Sequence, residues 1–196
     1  MIEFQEFPKI ARLSREVVVS EKIDGTNGTI YIGDDGEFLI GSRNRWITPE
    51  DDNYGFARWA TENKENLLKL GPGWHRGEWW GAGIQRRYGQ DRKRFSLFNT
   101  SRWCLHGTEP KRIPQADPRV EKFQDVLPPG VELVPVLYRG AFDTPTIEMV
   151  LSQLATKGSV AAPGFTQPEG VCIYHTGAGT YFKKTILKDE QPKGVV

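Results

Sequence analysis

The stretch EKIDGTNG, residues 21–28, closes one apolar run and opens the next. Before it, Glu16 to Ser20 (EVVVS) is β-branched and reads as a strand. After it, TIYIGDDGEFLIGS reads as a hairpin turning at Asp35-Gly36. A lysine in a polar, glycine-containing turn at the end of an apolar strand is held by backbone on both sides and can face a cleft. Lys22 is therefore a candidate nucleophile. A Lys-x-Asp-Gly string is short enough to arise by chance, and its meaning rests on what the rest of the chain supplies.

Outward from that turn the pattern stays strand-rich. Between Tyr54 and Leu70, apolar Phe56, Trp59, Ala60, Leu67 and Leu70 recur near helical spacing, and Gly71-Pro72-Gly73 stops the run, which predicts a helix. WHRGEWW, RFSLFNT and VELVPVLY predict strands, Thr146 to Ala155 a second helix, and GVCIYH with GTYFKK a terminal hairpin. Strand runs are not regularly separated by helices, so the expected class is α+β and not a doubly wound parallel sheet. HGTEPKRIPQADP and APGFTQPEG are linker-like, but neither divides the chain into domains.

At 196 residues one core can bury roughly 70% of the unfolded surface. The 26 Lys and Arg against 25 Asp and Glu leave a net charge of +1, which excludes a global electrostatic pull toward polyanions. Any such site must be local. Two cysteines, Cys104 and Cys172, are too few for a disulfide scaffold and fit a reducing compartment. No run approaches the ~18 apolar residues of a membrane span, and the N-terminal stretch lacks a signal-peptide core. The expectation is a cytoplasmic protein. Cys104-x-His106 and Cys172-x-x-His175 have zinc-ligand residue types. The first pair is too tightly spaced, however, and an offset of three on a strand puts the second pair on opposite faces, so both read as structural.

The remaining motifs follow EKIDGTN in order: GSRNR with Arg43, GEWWGAGIQ with Glu78, FSLFN with Phe98, PEGVCIYH with Glu169, and TYFKKT with Lys183 and Lys184. This series resembles the covalent nucleotidyltransferase superfamily of ATP-dependent ligases and capping enzymes, and within it the RNA ligase family. The GTN extension and GEWWGAGIQ carry the narrower likeness. The resemblance covers residues 16 to 194. It implies one adenylyltransferase domain over 1–196, of an ATP-grasp-like nucleotidyltransferase fold with antiparallel sheets flanked by helices, and no C-terminal OB or other accessory domain.

The resemblance also implies roles. Lys22 would attack the α-phosphorus of ATP and hold AMP, which passes to a 5′-phosphate end before a 3′-hydroxyl displaces it. Glu78 would bind the ribose, Phe98 would stack on adenine, and Arg43 would contact the ribose or the phosphate being joined. Lys183 would meet the α-phosphate, and Glu169 would position Mg²⁺ or Mn²⁺. Glu21 is a candidate for the adenine edge, and Asn27 for the phosphates or the metal's water shell.

The chemistry suits these residue types. A lysine amine attacks only when neutral, and neighbouring cations favour that form. Carboxylates are the hard ligands Mg²⁺ prefers. Lys183 and Lys184 are adjacent where the family motif is commonly Lys-x-Lys, so on a strand only one can face the phosphate. Lys183, just after Phe182, is favoured, though alternation does not say which face is the cleft.

The densest basic cluster, Arg86, Arg87, Arg92, Lys93 and Arg94, reads either as a contact strip for a nucleic-acid backbone or as a solvated loop. The expected partner is RNA, in forms that include a nicked duplex or a DNA/RNA hybrid. With so little net charge, a protein partner could be needed to supply substrate affinity. A DNA ligase, a guanylyltransferase or a catalytically silent nucleic-acid-binding module are the alternatives.

Overall fold

The computed structural model describes residues 2–98, 105–106, 127–187 and 189. Cys104 and the linker-like residues 107–118 lie outside them. The elements in chain order are β1 (Glu16–Lys22), β2 (Thr26–Ile32), β3 (Phe38–Gly41), α1 (Phe56–Glu62), α2 (Lys64–Leu67), a 3-10 turn (Leu68–Leu70), β4 (Gly73–Gly81), β5 (Lys93–Leu97), β6 (Leu105–His106), β7 (Val131–Leu133), β8 (Pro135–Ala141), α3 (Thr144–Lys157), β9 (Gly170–His175) and β10 (Thr180–Thr185). They form two five-stranded sheets, ordered β10-β9-β1-β8-β6 and β3-β2-β4-β5-β7.

Alternation along the strands builds the layers. Val17 and Val19 of β1, with Val171 and Ile173 of β9, bury one face of the first sheet against Ile147, Val150 and Leu154 of α3. Ile30, Ile32 and Ile40 of the second sheet pack against Phe56, Ala60, Leu67 and Leu70 of the helical segment. The other two faces meet through Val18 and Val136 from the first sheet and Trp80 from the second, with Tyr88 between. Full burial of each such side chain is worth about 1.5–3 kcal/mol, so this contact holds the two sheets together. The cleft opens where it ends.

Three sequence expectations need adjusting. Strand β1 runs on through Lys22, and β2 begins at Thr26, so the turn in EKIDGTNG is only Ile23 to Gly25. The helix expected over Tyr54–Leu70 breaks at Asn63, whose side-chain amide donates to Trp59 O at 2.8 Å and so competes with the helical ladder. VELVPVLY is two strands in different sheets: β7 lies parallel to β5, while β8 lies antiparallel to β1. Val134, between them, is buried and donates its N–H to Leu97 O at 3.1 Å, so the chain changes sheets there without an orphaned amide. The sheets are therefore mostly antiparallel, with parallel pairs at β5–β7 and β6–β8. Among the described residues no helix is long and apolar enough to cross a membrane.

Candidate active site

Register decides which side chains share the cleft. In the first sheet Ser20 pairs with Cys172, and Cys172 with Lys183, while Lys22 pairs with Gly170. Cross-strand partners point to one face, so Lys22 and Lys183 lie on the side turned toward the second sheet. Glu21, Val171 and Lys184 share the opposite face, where α3 packs. Lys22 Nζ donates to Glu169 Oε2 at 2.6 Å; the lysine side chain is 19% exposed and the glutamate 3%.

The second sheet supplies the facing wall. Asn27 of β2 pairs with Glu78 of β4, and Glu78 accepts from Gly25 N–H at 2.9 Å and from Asn27 Nδ2 at 3.2 Å. Burial pushes the Glu78 carboxyl up to about 7; Lys22 and the Gly25 N–H oppose the rise, and Glu169 and Asp24 add to it. The floor is therefore rich in acid and centred on one amine. The same burial pushes the Cys172 thiol up to about 11. Gly25 owes its place to close approach and not to a left-handed backbone: a Cβ there would collide with Trp79 O and come within 2.8 Å of Trp80 Cβ. From Asn27 outward, a cavity of about 460 Å³ extends past Arg43, Arg76 and Phe98.

Lys22, Glu169, Glu78 and Asn27 thus converge, Lys183 shares the face of Lys22, and Arg43 and Phe98 line the adjoining cavity. Two expected contacts do not. Lys184 is on the α3 side and pairs with Glu148 at 3.0 Å and Asp189 at 3.7 Å, contacts that raise its pKa, Glu148 first. With α3 packed on that side, Lys184 does not share the face of Lys22. Glu21 is buried and accepts from Ser159 Oγ at 2.6 Å, Val160 N at 2.8 Å and Ala161 N at 2.9 Å. Its carboxylate organises the loop after α3, on the face opposite Lys22.

The basic strip is largely spent internally as well. Lys93 Nζ donates to Tyr54 O at 2.6 Å, and Arg94 pairs with Glu132 at 3.1 Å while lying over the Trp80 ring. Arg87 and Arg92 remain exposed. Arg86 Nε pairs with Asp24 at 3.0 Å, and its Nη1 donates to Gln167 O at 3.0 Å. One guanidinium thus ties the chain two residues after Lys22 to the chain two residues before Glu169.

The RNA ligase family model matches residues 15–188. The chain belongs to the RNA ligase family. No curated protein matches it. Solved structures that share its fold include a Naegleria gruberi RNA ligase mutant with ATP and Mn, at 20% identity and TM-score 0.59, and another with AMP and Mn, at 20% and 0.60. Each match covers 88% of this chain and 50% of the other, so the chain spans about half the length of those ligases. At that identity the likeness shows the fold.

Within this family member, two features were not legible from motifs. One is the Arg86 bridge. The loop carrying it follows GEWWG and holds Gln85, Arg87 and Tyr88 at positive φ of 43°, 61° and 50°. Tyr88 is buried, its hydroxyl accepts the Asp24 N–H at 3.0 Å, and its ring packs on Trp80 and Phe165. The motif GAGIQRRYGQ looks like a flexible basic loop; the buried tyrosine between charges was the available signal. The other is His175, whose Nε2 meets Leu13 O at 2.8 Å while Nδ1 accepts from Ala178 N, so the backbone fixes its tautomer.

The divalent cation that the family implies suits this donor set. Among the described residues no group of three or more His, Cys, Asp or Glu forms a ready-made cage. Glu169, with Glu78 beside it, would offer hard oxygen donors of the kind Mg²⁺ prefers.

Proposed function

We propose that this chain is an ATP-dependent RNA ligase that joins 3′-hydroxyl and 5′-phosphate ends through a lysyl-AMP intermediate on Lys22. The observation that carries the reading is the Lys22–Glu169 pair at 2.6 Å, set at the adjoining ends of β1 and β9 with Lys183 on the same face.

In the first step Lys22 Nζ bonds to the α-phosphorus of ATP as the bond to the β-phosphate oxygen breaks, and pyrophosphate leaves with the electron pair. The proton that Nζ sheds has Glu169 Oε2 as an acceptor already in hydrogen-bond contact. Lys183 neutralises phosphate charge from the same face. Asn27 and Glu78, bonded to each other, orient the ribose side of the nucleotide, and Phe98 supplies the stacking surface for the base. A divalent cation held by Glu169 would stabilise charge on the phosphate oxygens. In the second step an oxygen of the 5′-phosphate attacks the same phosphorus and the phosphorus–nitrogen bond breaks, which returns the amine. In the third, the 3′-hydroxyl oxygen bonds to the phosphorus of the 5′-phosphate as the phosphoanhydride bond to AMP breaks; AMP leaves with the electron pair and the hydroxyl proton passes to solvent.

The natural ends, on this reading, belong to RNA, whether in a nicked duplex, a DNA/RNA hybrid or an open single strand, and the near-zero net charge favours help from a protein partner in holding them. A free, inert Cys172 fits a cytoplasmic setting. Incubation with α-labelled ATP and Mg²⁺ or Mn²⁺ is expected to give a covalent adduct that Lys22→Ala abolishes. Absence of the adduct refutes the proposal. Labelling by GTP in place of ATP marks a guanylyltransferase, and sealing of nicked DNA but not nicked RNA marks a DNA ligase.

A further inference from the structure

On the cleft face of the second sheet, beyond Phe98, the surface changes character. Trp46 and Trp74 stack with ring centroids 5.7 Å apart and planes inclined by 20°, and Tyr31 packs on Trp74 at 4.9 Å. The two indoles are 47% and 49% exposed, an unusual place to leave rings that each carry so much apolar area. Arg76 lies over the Trp74 ring at 5.0 Å, and Arg43 lines the same cavity; both guanidiniums are exposed.

The stack is built and not incidental. Trp46 bridges to Gly41 as an isolated β-pair and packs so closely on it that a Cβ at Gly41 would stand 3.2 Å from the indole. Its loop is tied by Ser42 N–H to Arg45 O at 2.8 Å and by the Arg45–Asp51 ion pair. The rings are therefore held in place before any ligand arrives, which spares the ordering cost of binding.

Position separates this surface from the nucleotide's own base. Trp74 is four residues from Glu78 along β4, about 13 Å at ~3.3 Å per residue. Phe98, the surface given to the base of ATP, lies between, level with Arg76, to whose carbonyl its N–H donates at 2.8 Å. Rigid, half-exposed aromatic rings flanked by guanidiniums are the chemistry of an unpaired polynucleotide strand: every base offers a π-face, and the backbone supplies negative charge.

We propose that the Trp46–Trp74 stack, with Arg76 and Arg43 beside it, is a platform for the unpaired terminal nucleotides of the RNA strand presented for joining. The inference rests on the ligase reading of the same cleft and adds where the strand is gripped. Bases stack on the indoles, and the backbone between them runs past the two guanidiniums toward Lys22.

The test is a titration of the full chain with a short 5′-phosphorylated oligouridylate, read by quenching of tryptophan fluorescence and by anisotropy of a labelled oligonucleotide. Trp74→Ala and Trp46→Ala are each expected to weaken binding about 5- to 100-fold. Trp74→Phe keeps a stacking ring and is expected to retain affinity within about 3-fold. Arg76→Gln leaves the rings in place and is expected to flatten the dependence of log K on log salt by about 0.7 for the single strand, so the proposal stays open to test if the tryptophan variants fold poorly.

Formation of the lysyl-AMP adduct is measured on the same samples. Adduct formed at the wild-type rate with weakened oligonucleotide binding supports the platform. Unchanged oligonucleotide affinity in both alanine variants, an unchanged salt slope in Arg76→Gln, or an alanine variant that raises the ATP requirement about tenfold each overturns it. Failure of wild-type protein to form any adduct instead refutes the ligase reading, a separate outcome.

Discussion

Replacing Glu78 by glutamine isolates the electrostatic strain in the cleft floor. In the folded protein burial lifts the Glu78 carboxyl from 4.5 to about 7, against the opposing pull of Lys22. Between those pH values the native state therefore binds a proton that the unfolded chain has released, and stability falls as pH rises. The contribution is fully present below about pH 4.5 and is lost by the time pH has passed about 7. At about 1.4 kcal/mol for each pH unit the loss is about 3 kcal/mol. Glutamine does not ionise, and its amide oxygen can still accept the Gly25 N–H that Glu78 accepts at 2.9 Å. Urea denaturation of both proteins at pH 4.5 and pH 8 is the assay, with m-values checked for constancy. Relative to wild type, Glu78→Gln is expected to gain about 3 kcal/mol between the two pH values while losing nucleotidyl transfer. A stability difference that stays flat with pH, or moves the other way, shows that the carboxyl is not held in its protonated form by burial.

Three further outcomes follow from contacts in the cleft and on the α3 face behind it. Arg86→Ala removes the bridge between Asp24 and Gln167 and is expected to slow lysyl-AMP formation roughly 10- to 100-fold, the cost of a small misplacement of reacting groups; wild-type rates in a quench-flow measurement would mean the bridge does not set the Lys22–Glu169 geometry. Lys183→Ala is expected to abolish most adduct formation while Lys184→Ala leaves it near the wild-type level, and the reverse order in the labelling assay would show that β10 presents its other face. Glu21→Ala strips acceptors from Ser159 Oγ, Val160 N and Ala161 N and is expected to cost about 3 kcal/mol in denaturant unfolding; a change under about 1 kcal/mol means the loop after α3 re-pairs with water.

Much of this was legible in local pattern. Strand β1, the hairpin at Gly36, helix α3 and the β9–β10 hairpin follow from residue type and period, because each is satisfied by near neighbours. Asp143 caps α3 by accepting from Thr146 N–H at 3.0 Å, with Pro145 behind it, a signal written in four consecutive residues. What local pattern could not show was anything decided by a partner far along the chain. The break at Val134 depends on Leu97 O; Pro135 marks a strand start in VELVPVLY, but not that the two halves join different sheets. Alternation told that Lys183 and Lys184 must part, but only the packing of α3 against β9 says which of them meets the cleft. Glu21 and Arg86 carry charge, and charge next to a motif invites a ligand role. Their actual partners lie 138 and 62 residues away, at Ser159 and Asp24.

The resting state of Lys22 has a consequence for chemical durability. An amine tied to a carboxylate as an ion pair has no lone pair free to attack. Lys22 at 2.6 Å from Glu169, mostly enclosed, is therefore screened from the stray acylating and carbonyl compounds that modify accessible lysines. Reactivity arrives with the ligand that competes for Glu169, and leaves with it. On the proposed mechanism, the lysine that reacts during turnover is, among the described lysines, one of the least exposed between turnovers.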